Sequence, residues 1–238
     1  MTVTPGKPPP SVAASPNAPA PVKIARLWPI ASATAALLLT GGLAAVIFYR
    51  QQNKPFGFEL EWMDEILDHR NAFWTVPALV FNYLGGGILA IAVVPVLIIV
   101  GLLLWRRRWA AMYFAISAAA SVIVVQIVKA LVGRPRPPDI DMLVHPDFGS
   151  FPSGHSANAA LIAVTLGIIF ARAWVWAAGA VYTVGMMLSR TYLGAHWISD
   201  TVGGMLVGAG VALIVWTPFA YVLYREAHAP HPPVWKRT

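Results

Sequence analysis

Six apolar runs govern what this chain can fold into. Residues 28–48, 76–105, 110–132, 152–170, 174–188 and 201–224 carry at most one charged residue each. They reach or approach the roughly 20 helical residues that cross a hydrocarbon layer. Inside hydrocarbon every backbone N–H and C=O must be satisfied within the chain, which favours helices. The expected architecture is all-α: a polytopic membrane protein with six transmembrane helices. Charged residues make up 11% of the chain, against about 25% in soluble domains. The formal charge of +7 therefore marks cytoplasmic loops and not a nucleic-acid partner. The absence of cysteine excludes disulfides and thiolate metal sites, and leaves the compartment unread.

The tails and connectors are read around these runs. Residues 1–26, rich in Pro, Ala and Ser at their start, read as a disordered cytoplasmic tail. Residues 27–225 form the six-span domain, and 226–238 a second cytoplasmic tail. The first apolar run is too long for a signal-peptide core and lacks a convincing cleavage site. Trp28 and Tyr49 bracket it, as interfacial aromatics do. In the connector 50–71, Trp62, Met63, Ile66 and Leu67 fall on one helical face, and Glu61, Asp64, Glu65 and Asp68 on the other. That is either an amphipathic helix on the membrane or over the site, or a solvated loop helix with no functional role. The second run is long enough to need a tilt or kink, with Pro95 as the kink site. Gly85, Gly86 and Gly87 allow a close helix contact or break the helix. No internal repeat is visible.

Orientation follows from charge. Lys7, Lys23, Arg26, Arg106, Arg107, Arg108, Arg172, Arg225, Lys236 and Arg237 all fall on one side of a six-span chain. The positive-inside rule makes that side, with both termini, cytoplasmic. The polar motifs then face outward.

Three short segments at the ends of the runs carry chemistry. The first is Lys129, six residues, then Arg136-Pro137. The second is Pro152-Ser153-Gly154-His155. The third runs from Ser189-Arg190 through His196 to Asp200. His196 and Asp200 are four apart, so on a helix they share a face. A carboxylate on one imidazole nitrogen fixes the tautomer and raises the nucleophilicity of the other. Arg190 offers a planar fork suited to phosphate. Read alone, this third segment is equally a structural helix cap. Ser153 can cap the following helix, Gly154 permits close approach, and a helix start favours an anion. An ordinary capped span explains the same residues, His155 least well. Basic residues at a span end are equally lipid-headgroup anchors. A divalent ion held by His155, His196, Asp200 and His145 is a competing arrangement, which three cations in the same pocket would oppose. Asp139, Asp141, His145 and Asp147 otherwise read as a solvated loop.

Taken together and in order, the three segments resemble the type 2 phosphatidic acid phosphatase superfamily, over roughly residues 76–216. Members with this hydropathy are integral-membrane lipid phosphatases, and the resemblance implies their helical core here. It implies that Lys129, Arg136 and Arg190 bind the phosphoryl group, beside Ser153 and Gly154. It implies that His196 attacks phosphorus to give a phosphohistidine, that Asp200 holds its other nitrogen, and that His155 is the general acid. No metal or other cofactor is implied. Arg134, outside the motif spacing, is expected to make a supporting or headgroup contact. The substrate class is a lipid phosphate or diphosphate: a polyprenyl diphosphate such as undecaprenyl diphosphate, phosphatidic acid, or phosphatidylglycerol phosphate. The partners are that lipid and the surrounding membrane lipids, with no nucleic acid. The location is the bacterial inner or plasma membrane. A phosphotransferase on the same scaffold, a headgroup-binding transporter and a soluble vanadium haloperoxidase are the rival readings. The histidines argue against the transporter and the spans against the haloperoxidase.

Overall fold

The protein is described by a computed structural model covering residues 21–137 and 149–228, with the side chains of 21–27 and Arg50 outside that description. Among the described residues all regular structure is helical. The order is α1 (Pro21–Ala45), α2 (Gly57–Asp68), α3 (Ala72–Gly85), α4 (Val94–Leu104), α5 (Arg108–Val132), α6 (Gly154–Phe170), α7 (Ala173–Tyr192) and α8 (Ile198–His228). The long helix α8 packs against α1, α5, α6 and α7, while α3 packs on α7 and α4 on α5. Short π-helical turns follow α1 at Val46–Arg50 and precede α4 at Leu89–Val93.

Helix α8 packs on α6, α1 and α5, and small residues make this possible. A Cβ at Gly208 would collide with the Ala157 carbonyl, and one at Gly204 with that of Ser153. At Gly154, by contrast, a Cβ would meet only Val125 Cγ1 at 3.7 Å. Tyr113, Phe114, Leu161 and Val207 fill the centre of the bundle. At the end away from the motifs, Glu226 of α8 caps α5, accepting from Trp109 N at 2.8 Å and Ala110 N at 3.0 Å. Arg107 donates to the Ile169 carbonyl at the close of α6.

The outer surface is apolar. Leu97, Ile123 and Val181 are among many large side chains left exposed, which in water would be an aggregation surface and in lipid is the solvated face. Helices α1, α5 and α8 each have the length and hydropathy to cross a membrane, as do α3 and α4 taken as one bent span; α6 is shorter. The chain is a multi-pass, all-α membrane protein.

Three expectations change in detail. Helix α1 begins at Pro21, so the tail boundary expected at residue 26 moves into a helix. The kink expected at Pro95 lies at the glycines: α3 ends at Gly85, Gly87 has φ +60°, and the two halves diverge by 52°. Pro95 sits in the first turn of α4, where a missing N–H is tolerated. Helix α7 continues through Arg190, which is therefore helical and not part of the connector. The expected disorder of residues 1–20, the C-terminal tail from 229 and the loop residues Asp139, Asp141, His145 and Asp147 lie outside the described residues.

Candidate active site

The motif residues lie at one end of the bundle, where α5 and α7 finish and α6 and α8 begin. Lys129 is in the last turn of α5, which Gly133 closes in the left-handed region at φ +61°. Its ammonium donates to the Gly149 carbonyl at 3.1 Å. The Ser150 N–H donates to the Arg134 carbonyl at 2.8 Å, joining the chain on either side of residues 138–148. Ser153 is buried and caps α6, and its own N–H reaches the Asp200 carbonyl at 2.9 Å. The first two motifs are thus fixed to the third through backbone bonds.

His196 does not share a helical face with Asp200. It lies in the turn between α7 and α8, formed around Gly194 at φ +71°. Asp200 is in the first turn of α8, and its Oδ2 accepts from the Trp197 N–H at 2.9 Å. That cap sets His196 Nδ1 3.6 Å from the same oxygen. Ser150 Oγ stands between them, 3.4 Å from Nδ1 and donating a short hydrogen bond to Asp200 Oδ2.

The tautomer of His196 follows from its neighbours. Arg136 Nη1 lies 3.2 Å from Nε2 and also donates to the Ala195 carbonyl at 2.6 Å. A guanidinium can only donate, so Nε2 keeps its lone pair and the proton sits on Nδ1, facing Ser150 and Asp200. Burial holds the imidazole well below its ordinary pKa, with the charges of Arg136, Arg190 and Lys129 acting the same way and Ser150 opposing them. Neutral His196 that keeps its Nε2 lone pair, here turned to Arg136, is the form a nucleophile needs.

His155, in the first turn of α6, is surrounded by the same charges, those of Arg190, Lys129 and Arg136, and by His196. Its ring lies against the bend of α3: a Cβ at Gly86 would collide with Nε2. That nitrogen is buried without a hydrogen-bond partner among the described residues. Three residues on, Asn158 donates to the Ala90 carbonyl at 3.4 Å, tying α6 to the far side of the bend.

Sequence reasoning passed over several residues. Asn82 of α3 accepts from Arg190 Nη1 and so aims the guanidinium; nothing in its sequence setting marks it. Ser150 adjoins a motif without belonging to it. Arg134 is no headgroup contact: it is completely buried, donating to Asp200 Oδ1 at 2.7 Å and to Glu59 Oε2 at 2.6 Å. Glu59 comes from α2, whose Glu61, Asp64, Glu65 and Asp68 are exposed and whose Met63 is buried. The helix expected in the connector therefore lies over the site. Glu59 Oε2 also accepts from the Phe56 N–H at 2.9 Å, at the start of α2. As for a metal, among the described residues no three His, Cys, Asp or Glu side chains converge. Asp200 gives its oxygens to Arg134, Ser150 and Trp197.

Fold and site together define an integral-membrane helical protein with a cationic, imidazole-bearing end. The model of the PAP2 superfamily matches residues 110–223. YbjG of Escherichia coli, whose name marks its undecaprenyl-diphosphatase assignment as provisional, is 32% identical over 146 residues, 57% of this chain and 73% of that one. The chain belongs to the PAP2 superfamily. Phosphatidylglycerophosphatase B of Bacillus subtilis is 29% identical over 48% of this chain and 61% of its own. The chain spans about half to three fifths of the length of other curated relatives that match. The crystal structure of a transmembrane PAP2-type phosphatidylglycerolphosphate phosphatase from Bacillus subtilis superposes with a TM-score of 0.70, at 24% identity, over 80% of this chain and 97% of that one.

Proposed function

We propose that the protein is a membrane lipid phosphatase that removes phosphate from a lipid phosphate or lipid diphosphate through a covalent phosphohistidine. The observation that carries this reading is the placement of His196, with Nε2 3.2 Å from Arg136 Nη1 and Nδ1 turned to Ser150 and Asp200. In the proposed reaction the Nε2 lone pair attacks phosphorus. The bond from phosphorus to the leaving oxygen breaks, and His155, whose protonated form the bound phosphate's negative charge favours against the surrounding cations, delivers its Nε2 proton to that oxygen. Neutral His155 then takes a proton from water, whose oxygen attacks the phosphohistidine. The P–N bond breaks and inorganic phosphate leaves. Lys129, Arg136 and Arg190 hold the phosphoryl oxygens through the transition state, and Ser153 with Gly154 presents the start of α6 to the same anion. Asp200 holds the Nδ1 side of the His196 ring and stabilises the positive charge that forms there.

The site lies at the end of an apolar bundle, so a headgroup can reach it while its tail stays in lipid. The relatives named above as a phosphatidylglycerophosphatase and an undecaprenyl-diphosphatase support a substrate of this class. The proposal includes six spans, termini in the cytoplasm and the site on the outer face of the bacterial plasma or inner membrane.

The test is phosphate release by purified protein in detergent from undecaprenyl diphosphate, phosphatidic acid and phosphatidylglycerol phosphate, without an added acceptor and in EDTA. Release from at least one, abolished by His196→Ala in folded protein, is expected. Dependence on an acceptor lipid would favour the transferase, and activity restored only by a divalent ion the metal site. Normal turnover by His196→Ala would remove the nucleophile.

A further inference from the structure

The buried contacts of Glu59 extend the site beyond the three motifs. Glu59 and Arg134 both have no exposed surface. Each Glu59 oxygen is used twice. Oε1 accepts from the Ser199 N–H at 3.0 Å and hydroxyl at 2.5 Å; Oε2 accepts from the Phe56 N–H at 2.9 Å and Arg134 Nη2 at 2.6 Å. The other arm of the guanidinium, Nη1, donates to Ser199 Oγ and Asp200 Oδ1, both at 2.7 Å. A guanidinium facing a single carboxylate tends to engage both of its oxygens in a fork. Here Glu59 occupies one arm, so Asp200 receives only the other, on Oδ1. Oδ2 is left to Ser150, Trp197 and His196. The two carboxylates share the guanidinium, so Arg134 leaves Asp200 Oδ2 as an acceptor beside the imidazole.

We propose that Glu59 of α2, acting through Arg134, is a positioning residue that keeps Asp200 Oδ2 turned to His196. This rests on His196 being the nucleophile. It differs from a purely structural role, in which Glu59 caps α2 and tethers it to the bundle. A tether contributes to stability; a positioning residue alters the rate of the chemical step.

The experiment measures kcat and KM of the full-length protein in detergent, on whichever of the three lipid phosphates the wild type turns over, with thermal stability alongside. Glu59→Gln is expected to lower kcat by roughly 10- to 100-fold, the range seen when a group orienting a reacting side chain is removed, with KM changed less than about threefold. In an Arg134→Met background it is expected to add no further loss, because its route to Asp200 is already gone. Unchanged kcat with a lower melting temperature would leave Glu59 a tether and overturn the proposal. Equal losses in both backgrounds would overturn the route through Arg134. If Glu59→Gln does not fold, Arg134→Lys carries the test, since an ammonium lacks the planar fork that gives each carboxylate its own arm. Reduced kcat with KM retained supports the proposal, and wild-type kcat overturns it. A wild type inactive on the whole panel overturns the functional reading, and this inference with it; an active wild type with an equally active Glu59→Gln overturns this inference alone.

Discussion

Burial of His196 links the reaction to the stability of the protein. The unfolded chain takes up a proton on this imidazole near its ordinary pKa of about 6.5, whereas the folded site resists protonation. Below that pH the unfolded state binds more protons, so stability present at neutral pH is lost as the pH falls, by at most ~1.4 kcal/mol per pH unit from this residue. Thermal unfolding in detergent at pH 7 and pH 5 is expected to show a drop in melting temperature that is smaller in His196→Asn. An equal drop in both would mean that other groups account for it. The fixed spacings made Lys129, Arg136, His155, Arg190, His196 and Asp200 legible as candidate site residues, and the structure places them at one end of the bundle. The spacings carried no sign of Asn82, Ser150 or Glu59, whose parts depend on neighbours more than 40 residues away in sequence. The four-residue spacing of His196 and Asp200 correctly signalled nearness while suggesting the wrong local structure, because a turn with its own cap also brings them together.

Among the elements, the bend between α3 and α4 has the most direct bearing on chemistry. Gly86 has extended backbone angles that alanine can adopt, so a methyl group there acts by contact and not by strain. Gly86→Ala is expected to push the His155 ring aside and cost on the order of 100-fold in phosphate release, the scale of an ångström-level misplacement. Gly101→Ala, where nothing stands within 4 Å, is expected to behave as wild type. Equal activity in the two variants would separate the bend from the acid. The sequence offered two kink sites in this stretch, Pro95 and the glycine triplet, and hydropathy cannot choose between them. The choice depends on His155 and Met186 occupying the space that side chains at Gly85 and Gly86 would need. The amphipathic pattern of α2 was visible in sequence, but its docking was not. That depends on Glu59, which belongs to neither face of the expected helix.

For the whole molecule, helical class and membrane character could be read from the length and polarity of the runs. The sidedness is open to a direct test, helped by the lack of native cysteines. Asp64 is exposed on α2, at the motif end of the bundle. Asp64→Cys is expected to react with an impermeant maleimide added to intact cells; reaction only after permeabilisation would invert the topology.

The family model begins at residue 110, yet Glu59, Asn82 and Gly86 frame the site from before that point. Part of what surrounds the candidate reacting groups therefore comes from the earlier half of the chain, through Glu59, Asn82 and the bend at Gly86. The stretch that the family model covers holds the motifs without these outer walls, so residues 110–223 alone do not carry the whole arrangement.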